Sequence, residues 1–266
     1  MITAAHTPDL LATIVAATRR GVEVRKDSRP PAELERPQVR PPNGRAFVDA
    51  LRGSPAPRVI AECKRRSPSR GILRADYDPA AHARSYEESG AAAISVLTEP
   101  TFFDGSPEDL RAVRAAVGLP LLRKDFIVSE YQIHEAAWLG ADAILLIAAA
   151  LNDRSLRELL IIARGRRLAA LVEVHDETEL TRAIDAGAEV IGVNSRNLKT
   201  LAVDQDVQLR LLGGMPDYAI KVAESGIRSA DDMRRLTAAG YDACLVGEGL
   251  IGQPDPGVAL RELRSL

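Results

Sequence analysis

The sequence predicts a closed (β/α)8 TIM barrel with an N-terminal helical extension. Seven helical stretches end on glycine, at Gly90, Gly118, Gly140, Gly165, Gly187, Gly213 and Gly240, and each runs into a short apolar segment, in one case after a spacer. Glycine can close a helix in the left-handed conformation without steric cost, so this cadence reads as stacked βα units. Eight apolar segments, at 59–64, 93–98, 121–124, 143–147, 170–174, 190–194, 220–224 and 243–246, suit parallel strands buried on both faces. The length of 266 residues is close to the roughly 250 of one such barrel. Residues 1–266 are therefore expected to form one domain, with 1–57 as extension and linker.

The extension comes first. Thr7-Pro8-Asp9 is a helix start, and Leu10, Leu11, Ile14 and Val15 give the following helix, at about 8–25, one apolar face. Pro30, Pro31, Pro37, Pro41 and Pro42 then argue against regular structure, because each lacks an amide donor and has a fixed φ. A second short helix is expected at 47–51. An apolar stripe needs a surface, so the extension is expected to pack over one end of the barrel, with the first helix on the catalytic end. The barrel helices are expected at 79–89, 107–117, 130–139, 153–164, 177–186, 205–212, 230–239 and 256–263. Ser106, Ser129 and Ser229 stand where N-caps belong.

Composition narrows the function. Hydrophobic residues make up 46% of the chain and aromatics 4%, and a formal charge of -2 provides no overall basic field for nucleic acid. A small anion at a local cluster stays open. No stretch approaches the ~20 apolar residues of a membrane span, and the apolar run at 10–17 lacks the flanks of a signal peptide. A cytoplasmic protein is expected, monomeric, with a homodimer as the alternative. Cys63 and Cys244 are too few for a disulfide scaffold and read as reduced core thiols on neighbouring strands. Trp138 reads as packing, with an interface as the alternative.

Polar residues gather where the strands stop. Strand 1 supplies Glu62, Lys64 and Ser67; strand 3 Lys124 and Asp125; strand 5 Glu173 and His175; strand 6 Asn194 and Arg196; strand 7 Glu224 and Ser225. Alternation places Glu62 and Lys64 together in the lumen and turns Cys63 outward. A single lysine at a strand end usually reaches for water. Two ammonium groups and several carboxylates at one mouth can instead hold an anion and divide acid and base roles. Glycine turns follow strands 7 and 8, at Glu224-Ser225-Gly226 and Gly247-Glu248-Gly249, with a short helix beginning near Glu248. Barrels commonly bind phosphate there, on backbone amides.

These residues resemble the indole-3-glycerol phosphate synthase family. The likeness is carried by Ile60-Ala61-Glu62-Cys63-Lys64-Arg65-Arg66-Ser67-Pro68-Ser69, by the segment 97–106 from Leu97-Thr98-Glu99-Pro100 to Asp104-Gly105-Ser106, and most specifically by Leu122-Arg123-Lys124-Asp125-Phe126-Ile127. Glu173-Val174-His175-Asp176, the segment 192–198 and Val222-Ala223-Glu224-Ser225-Gly226-Ile227 continue it in order. Two departures are Cys63, where an aromatic is common, and Gly249, where serine or alanine is frequent.

The resemblance implies closure of an indole ring from 1-(2-carboxyphenylamino)-1-deoxyribulose 5-phosphate, with loss of carbon dioxide and water and with neither cofactor nor metal. It implies Lys124 as general acid, Glu173 as base for dehydration, Lys64 as anion holder and second acid, Glu62 as holder of the ammonium groups, and Asn194 as a further catalytic-site residue. Substrate contacts are implied for Ser67, Phe103, Phe126, Arg196, Glu224, Ser225 and Leu245, and phosphate contacts for Lys64, Gly226, Gly247 and Glu248. Spacing alone leaves open which lysine serves which step. A sugar-phosphate isomerase would share the barrel and turns but has no use for Lys-Asp-Phe beside Glu-x-Lys; a silent ligand-binding barrel could dispense with the acids and bases present here.

Overall fold

The computed structural model describes residues 9–36, 39–52, 58–198 and 200–265, so Thr7, Pro8 and Pro37 lie outside the described residues. Eight parallel strands close a barrel: β1 (Arg58–Cys63), β2 (Ala93–Leu97), β3 (Leu121–Lys124), β4 (Ala143–Ile147), β5 (Ala169–Val174), β6 (Val190–Asn194), β7 (Ile220–Glu224) and β8 (Ala243–Val246). Each pairs with its sequence neighbours. β1 closes the ring against β8, with Val59 opposite Cys244, and pairs with β2 through Ile60 and Ala93. Alternation sorts the strands into two layers. Val59, Ala61 and Cys63 pack outward under the helices, while Ile60 joins Leu122, Leu145 and Leu171 inside.

The helices are α1 (Leu10–Ser28), α2 (Gly44–Arg52), α3 (Pro79–Glu88), α4 (Pro107–Ala116), α5 (Glu130–Leu139), α6 (Asp153–Gly165), α7 (Glu177–Asp185), α8 (Asp206–Leu212), α9 (Ala230–Ala239), α10 (Glu248–Ile251) and α11 (Pro256–Arg264). Ser106 and Ser229 form capping boxes with Asp109 and Asp232. Ser129 does not cap α5. The Gln132 side chain turns back there, accepting from Val128 N at 2.9 Å and donating to Phe126 O at 3.0 Å. Four of the seven predicted glycines, Gly90, Gly140, Gly187 and Gly240, have positive φ. At the end of α6 the left-handed residue is Arg167, with φ 61°, because the helix runs through Gly165.

Two further expectations are corrected, and one loop holds an element the sequence did not suggest. The proline-rich connector holds one regular turn, a 3-10 helix at Pro31–Leu34, because the amide Pro31 lacks would have no helical partner at this position. The loop after β1 contains a small hairpin pairing Arg66–Ser67 with Gly71–Ile72. The extension packs over both ends of the barrel. Leu11 and Ile14 of α1 pack at the carboxyl mouth with Phe126 and Ile147, whereas Phe47 and Leu51 of α2, both 0% exposed, close the opposite end beside Ala93, Val190, Ile220 and Ala243.

Buried charges fasten both helices. At the closed end Asp142 accepts from Asn43 N at 2.9 Å, Arg40 Nη2 at 2.8 Å, Arg114 Nη1 at 3.2 Å and Leu121 N at 3.0 Å. At the mouth Arg25 Nε donates to Glu135 Oε1 at 2.9 Å, and Tyr131 donates to the carbonyls of Arg25 and Arg29. Arg29 also lies over the Trp138 ring at 4.1 Å, so this buried tryptophan packs against the extension. No helix among the described residues is long and apolar enough to cross a membrane.

Cys63 and Cys244 are free and buried. Burial pushes both thiols up, Cys244 to about 12, which disfavours the reactive thiolate. Replacing both with alanine is expected to cost about 1 kcal/mol at each site through the cavities left behind, visible in denaturant titration, while turnover stays within about threefold. Asp142→Ala is expected to cost about 3–5 kcal/mol, because it strips a buried carboxylate from Arg114. An unchanged denaturation midpoint would show that Asp142 does not clamp the extension.

Candidate active site

The carboxyl ends of the strands surround a cavity of about 310 Å³. All fifteen side chains and turn residues expected at the site line it: Glu62, Lys64, Ser67, Phe103, Lys124, Phe126, Glu173, Asn194, Arg196, Glu224, Ser225, Gly226, Leu245, Gly247 and Glu248. Leu10 and Ile14 of α1 complete one wall. Leu145 and Ile147 also face the cavity. Sequence reasoning passed over these two because β4 is apolar throughout, and only strand parity distinguishes its lumen side.

Lys124 stands at the centre. Its Nζ lies 3.1 Å from Glu173 Oε2 and 3.5 Å from Glu224 Oε2; both carboxylates are 1% exposed. Burial works against the ammonium, but Glu173, Glu224 and Glu62 together outweigh it and hold Lys124 above the ordinary lysine range. Burial likewise favours neutral Glu173, yet Lys124, His175 and Asn194 hold it well below the usual carboxylate range. Glu224 is pushed the other way, by burial and by the neighbouring Glu173 and Glu62, against the opposing pull of Lys124. Neither Glu224 oxygen has a hydrogen-bond partner among the described residues.

A second pair sits beside this centre, with Lys64 Nζ 2.6 Å from Glu62 Oε2. Two glycines make room for these acids. A Cβ at Gly247 would collide with the Glu62 carboxylate, and a Cβ at Gly192 in β6 would collide with that of Glu224. Gly247 was predicted for close approach to an anion. The part played by Gly192 is legible only once Glu224 is seen across the lumen.

The β3 end is held from behind. Arg123 is 0% exposed and donates to Asp125 Oδ2 at 2.9 Å, Glu135 Oε2 at 2.7 Å and Thr98 Oγ1 at 3.1 Å. The Asp125 carboxylate is thus turned to Arg123 and to Phe126 N rather than to the group around Lys124. Phe126 meets Phe103 with centroids 6.0 Å apart. Buried Glu99 orders the loop carrying Phe103 by accepting from the amides of Thr101, Phe102 and Phe103.

At the turns, Ser225 and Gly226 have φ of 64° and 74°. The Ser225 value is uncommon for a residue with a Cβ. The Glu248 carboxylate faces Arg196 Nη2 at 3.2 Å and Arg70 Nε at 3.4 Å. Arg70 was not singled out from sequence, since only the fold brings its loop to Glu248. A Cβ at Gly249 would press on the Ile227 carbonyl at 3.0 Å, so the glycine lets these two turns approach closely.

His175 lines a neighbouring cavity of about 300 Å³ rather than the main one. Its backbone N and Nδ1 lie 2.9 and 3.0 Å from Glu179 Oε2, and its Nε2 lies 3.3 Å from Glu173 Oε1, off hydrogen-bond alignment. No group of three or more His, Cys, Asp or Glu side chains among the described residues is placed to hold a metal ion.

Comparison with known proteins places this geometry in a family. The indole-3-glycerol phosphate synthase family model matches residues 11–263. Proteins named indole-3-glycerol phosphate synthase from Mycolicibacterium vanbaalenii and Albidiferax ferrireducens are 50% and 47% identical to the chain, covering 96% of it and 93% and 98% of their own lengths. A namesake from Nocardioides sp. is 58% identical over 77% of the chain and 79% of its own length. Among solved structures, thiamine phosphate pyrophosphorylase from Pyrococcus furiosus superposes with a TM-score of 0.60 at 19% identity, covering 78% of the chain and 93% of that protein, a likeness of fold alone. With the family matched along nearly its whole length, the chain belongs to the indole-3-glycerol phosphate synthases.

Proposed function

We propose that the cavity converts 1-(2-carboxyphenylamino)-1-deoxyribulose 5-phosphate to indole-3-glycerol phosphate with the following division of labour. The observation that carries the reading is the Lys124 ammonium, 3.1 Å from Glu173 and 3.5 Å from Glu224, beside the Phe103 and Phe126 rings. The rings supply an apolar face for the anthranilate portion. Ser225, Gly226, Gly247 and the backbone of Glu248 and Gly249 form the end that takes the phosphate, with Lys64 next to Gly247. The Glu248 side chain is directed to Arg196 and Arg70, so its contribution to the phosphate is through its amide.

Ring closure joins the carboxylate-bearing aryl carbon to the ribulose carbonyl carbon. Lys124, kept charged by its carboxylates, gives a proton to the carbonyl oxygen as the bond forms. Carbon dioxide then leaves, and its bonding electrons restore the aromatic ring. In the final step the new hydroxyl departs as water, with a proton from Lys64, while Glu173 takes a proton from the adjacent CH2. Glu173 is suited to this because it is held ionised in a water-poor lumen. Glu62 keeps Lys64 charged and aimed, and Asn194 and Arg196 shape the wall toward the substrate hydroxyls.

Lys124→Ala and Glu173→Ala are each expected to lower kcat by about a hundredfold or more, read as loss of indole fluorescence, with circular dichroism unchanged. Lys64→Ala should also raise KM. Near-normal turnover in Lys124→Ala would sink the ring-closure role. Removing residues 1–28 takes away Leu10 and Ile14 from the cavity wall and is expected to raise KM by about tenfold. Unaltered KM in that truncation would mean that α1 does not help enclose substrate.

A further inference from the structure

We infer that His175 is a positioning residue that makes Glu173, rather than Glu224, the ionised member of the carboxylate pair flanking Lys124. The inference rests on the reading of Glu173 as the base for dehydration, and it assigns the residue that selects it. The two carboxylates are equally buried, but Lys124 donates a hydrogen bond only to Glu173, at 3.1 Å, and Asn194 also favours its ionised form. Both are 1% exposed and both lie within 3.5 Å of the same ammonium. Two buried like charges on one cation cannot both be fully supported, so one of them yields toward the neutral acid. A second cation beside one of them adds to that bias.

That cation is His175, and it touches one side only. His175 follows Glu173 by two residues at the end of β5, which brings its Nε2 to 3.3 Å from Glu173 Oε1, a charge contact rather than an aligned hydrogen bond, while among the described residues Glu224 is paired with no cation besides Lys124. Glu179 on α7 holds the ring from behind, its Oε2 lying 3.0 Å from Nδ1 and also accepting the His175 amide at 2.9 Å. The imidazole thus lies between two carboxylates, which favours the doubly protonated cation. Burial opposes that charge, but Glu173 and Glu179 outweigh it and raise the ring to about 10. The other charged groups lining the adjacent cavity are Asp176 before α7, Asp204 in the loop before α8, and Arg210 on α8. Asp176 is committed to the amide of Glu179. Arg210 is paired with Glu177 at 2.9 Å and lies 3.7 Å from Asp204. None of the three is paired with the imidazole.

The sign of the effect follows. A cation beside Glu173 lowers its pKa, so removing the cation raises it and moves the acid limb of the kcat profile to higher pH. His175→Asn is expected to move that limb up by about one pH unit, so that kcat falls on the acid limb, by up to about tenfold, while kcat at neutral pH and KM each change less than about twofold. Glu179→Gln leaves the imidazole in place but weakens its charge, and should move the limb the same way by a smaller amount. The measurement is kcat against pH by indole fluorescence, with circular dichroism as the check on folding. If His175→Asn does not fold, Glu179→Gln decides. A lower kcat with the acid limb superposed on that of the unmodified enzyme would overturn the inference and leave His175 as packing. Glu173→Gln separates this from the underlying reading: if it keeps turnover, Glu173 is not the base, whereas if it is inactive and the limb stays put in the His175 and Glu179 variants, only the selection by His175 fails.

Discussion

A lysine ammonium kept largely out of water inside an apolar barrel is the constraint around which this structure is arranged. A charge in such surroundings is costly unless partners of opposite sign stand close by. Lys124 obtains them from β5 and β7, while Glu62 on β1 adds its field and pairs with Lys64. Placing the acids then imposes conditions elsewhere. Gly192 and Gly247 must lack side chains because carboxylate oxygens occupy the space where a Cβ would stand. The acids in turn constrain one another, and their unequal surroundings push buried carboxylates of one type in opposite directions, Glu173 down and Glu224 up.

The support behind the site is also ionic, but its work is mechanical. Arg123 lies under the helices, next in sequence to Lys124, and fixes Asp125, which in turn fixes the amide of Phe126. Glu135 continues this chain outward to Arg25 on α1, the helix whose Leu10 and Ile14 reach the cavity wall. Asp142 performs the corresponding task at the closed end for the segment leading into α2. The extension is therefore fastened to the barrel by two buried carboxylates, Glu135 and Asp142, each of which also pairs with a buried guanidinium of the barrel. Cap and catalytic strand share one hydrogen-bonded chain, which ties substrate enclosure to the orientation of the acid.

Much of the architecture is legible in the sequence because its signals are local. The apolar strand segments match the observed strands to within one residue at either end, and alternation correctly separated Glu62 from Cys63. Polar residues at strand ends identified the charged lining residues of the mouth, since parallel barrels place those ends together, while Phe103, Phe126 and Leu245 were implied only by the family resemblance. Local signals failed at two helix ends. Ser129 has the identity and position of a cap but is displaced by Gln132, and the glycine rule at the end of α6 was overridden by Arg167.

By itself, then, the sequence determined the strand and helix order, which side chains face the lumen, and the set of acids and bases available there. All of these follow from residue type and from the two periodicities of the backbone. Only the tertiary structure decided who stands beside whom. It set Lys124 between Glu173 and Glu224, turned Glu248 to Arg196 and Arg70, sent Asp125 to Arg123, and split the extension between opposite ends of the barrel. The physical reason is that these contacts join residues brought together by barrel closure and helix docking, and the protonation of each group follows from burial and neighbouring charge, which spacing along the chain does not encode.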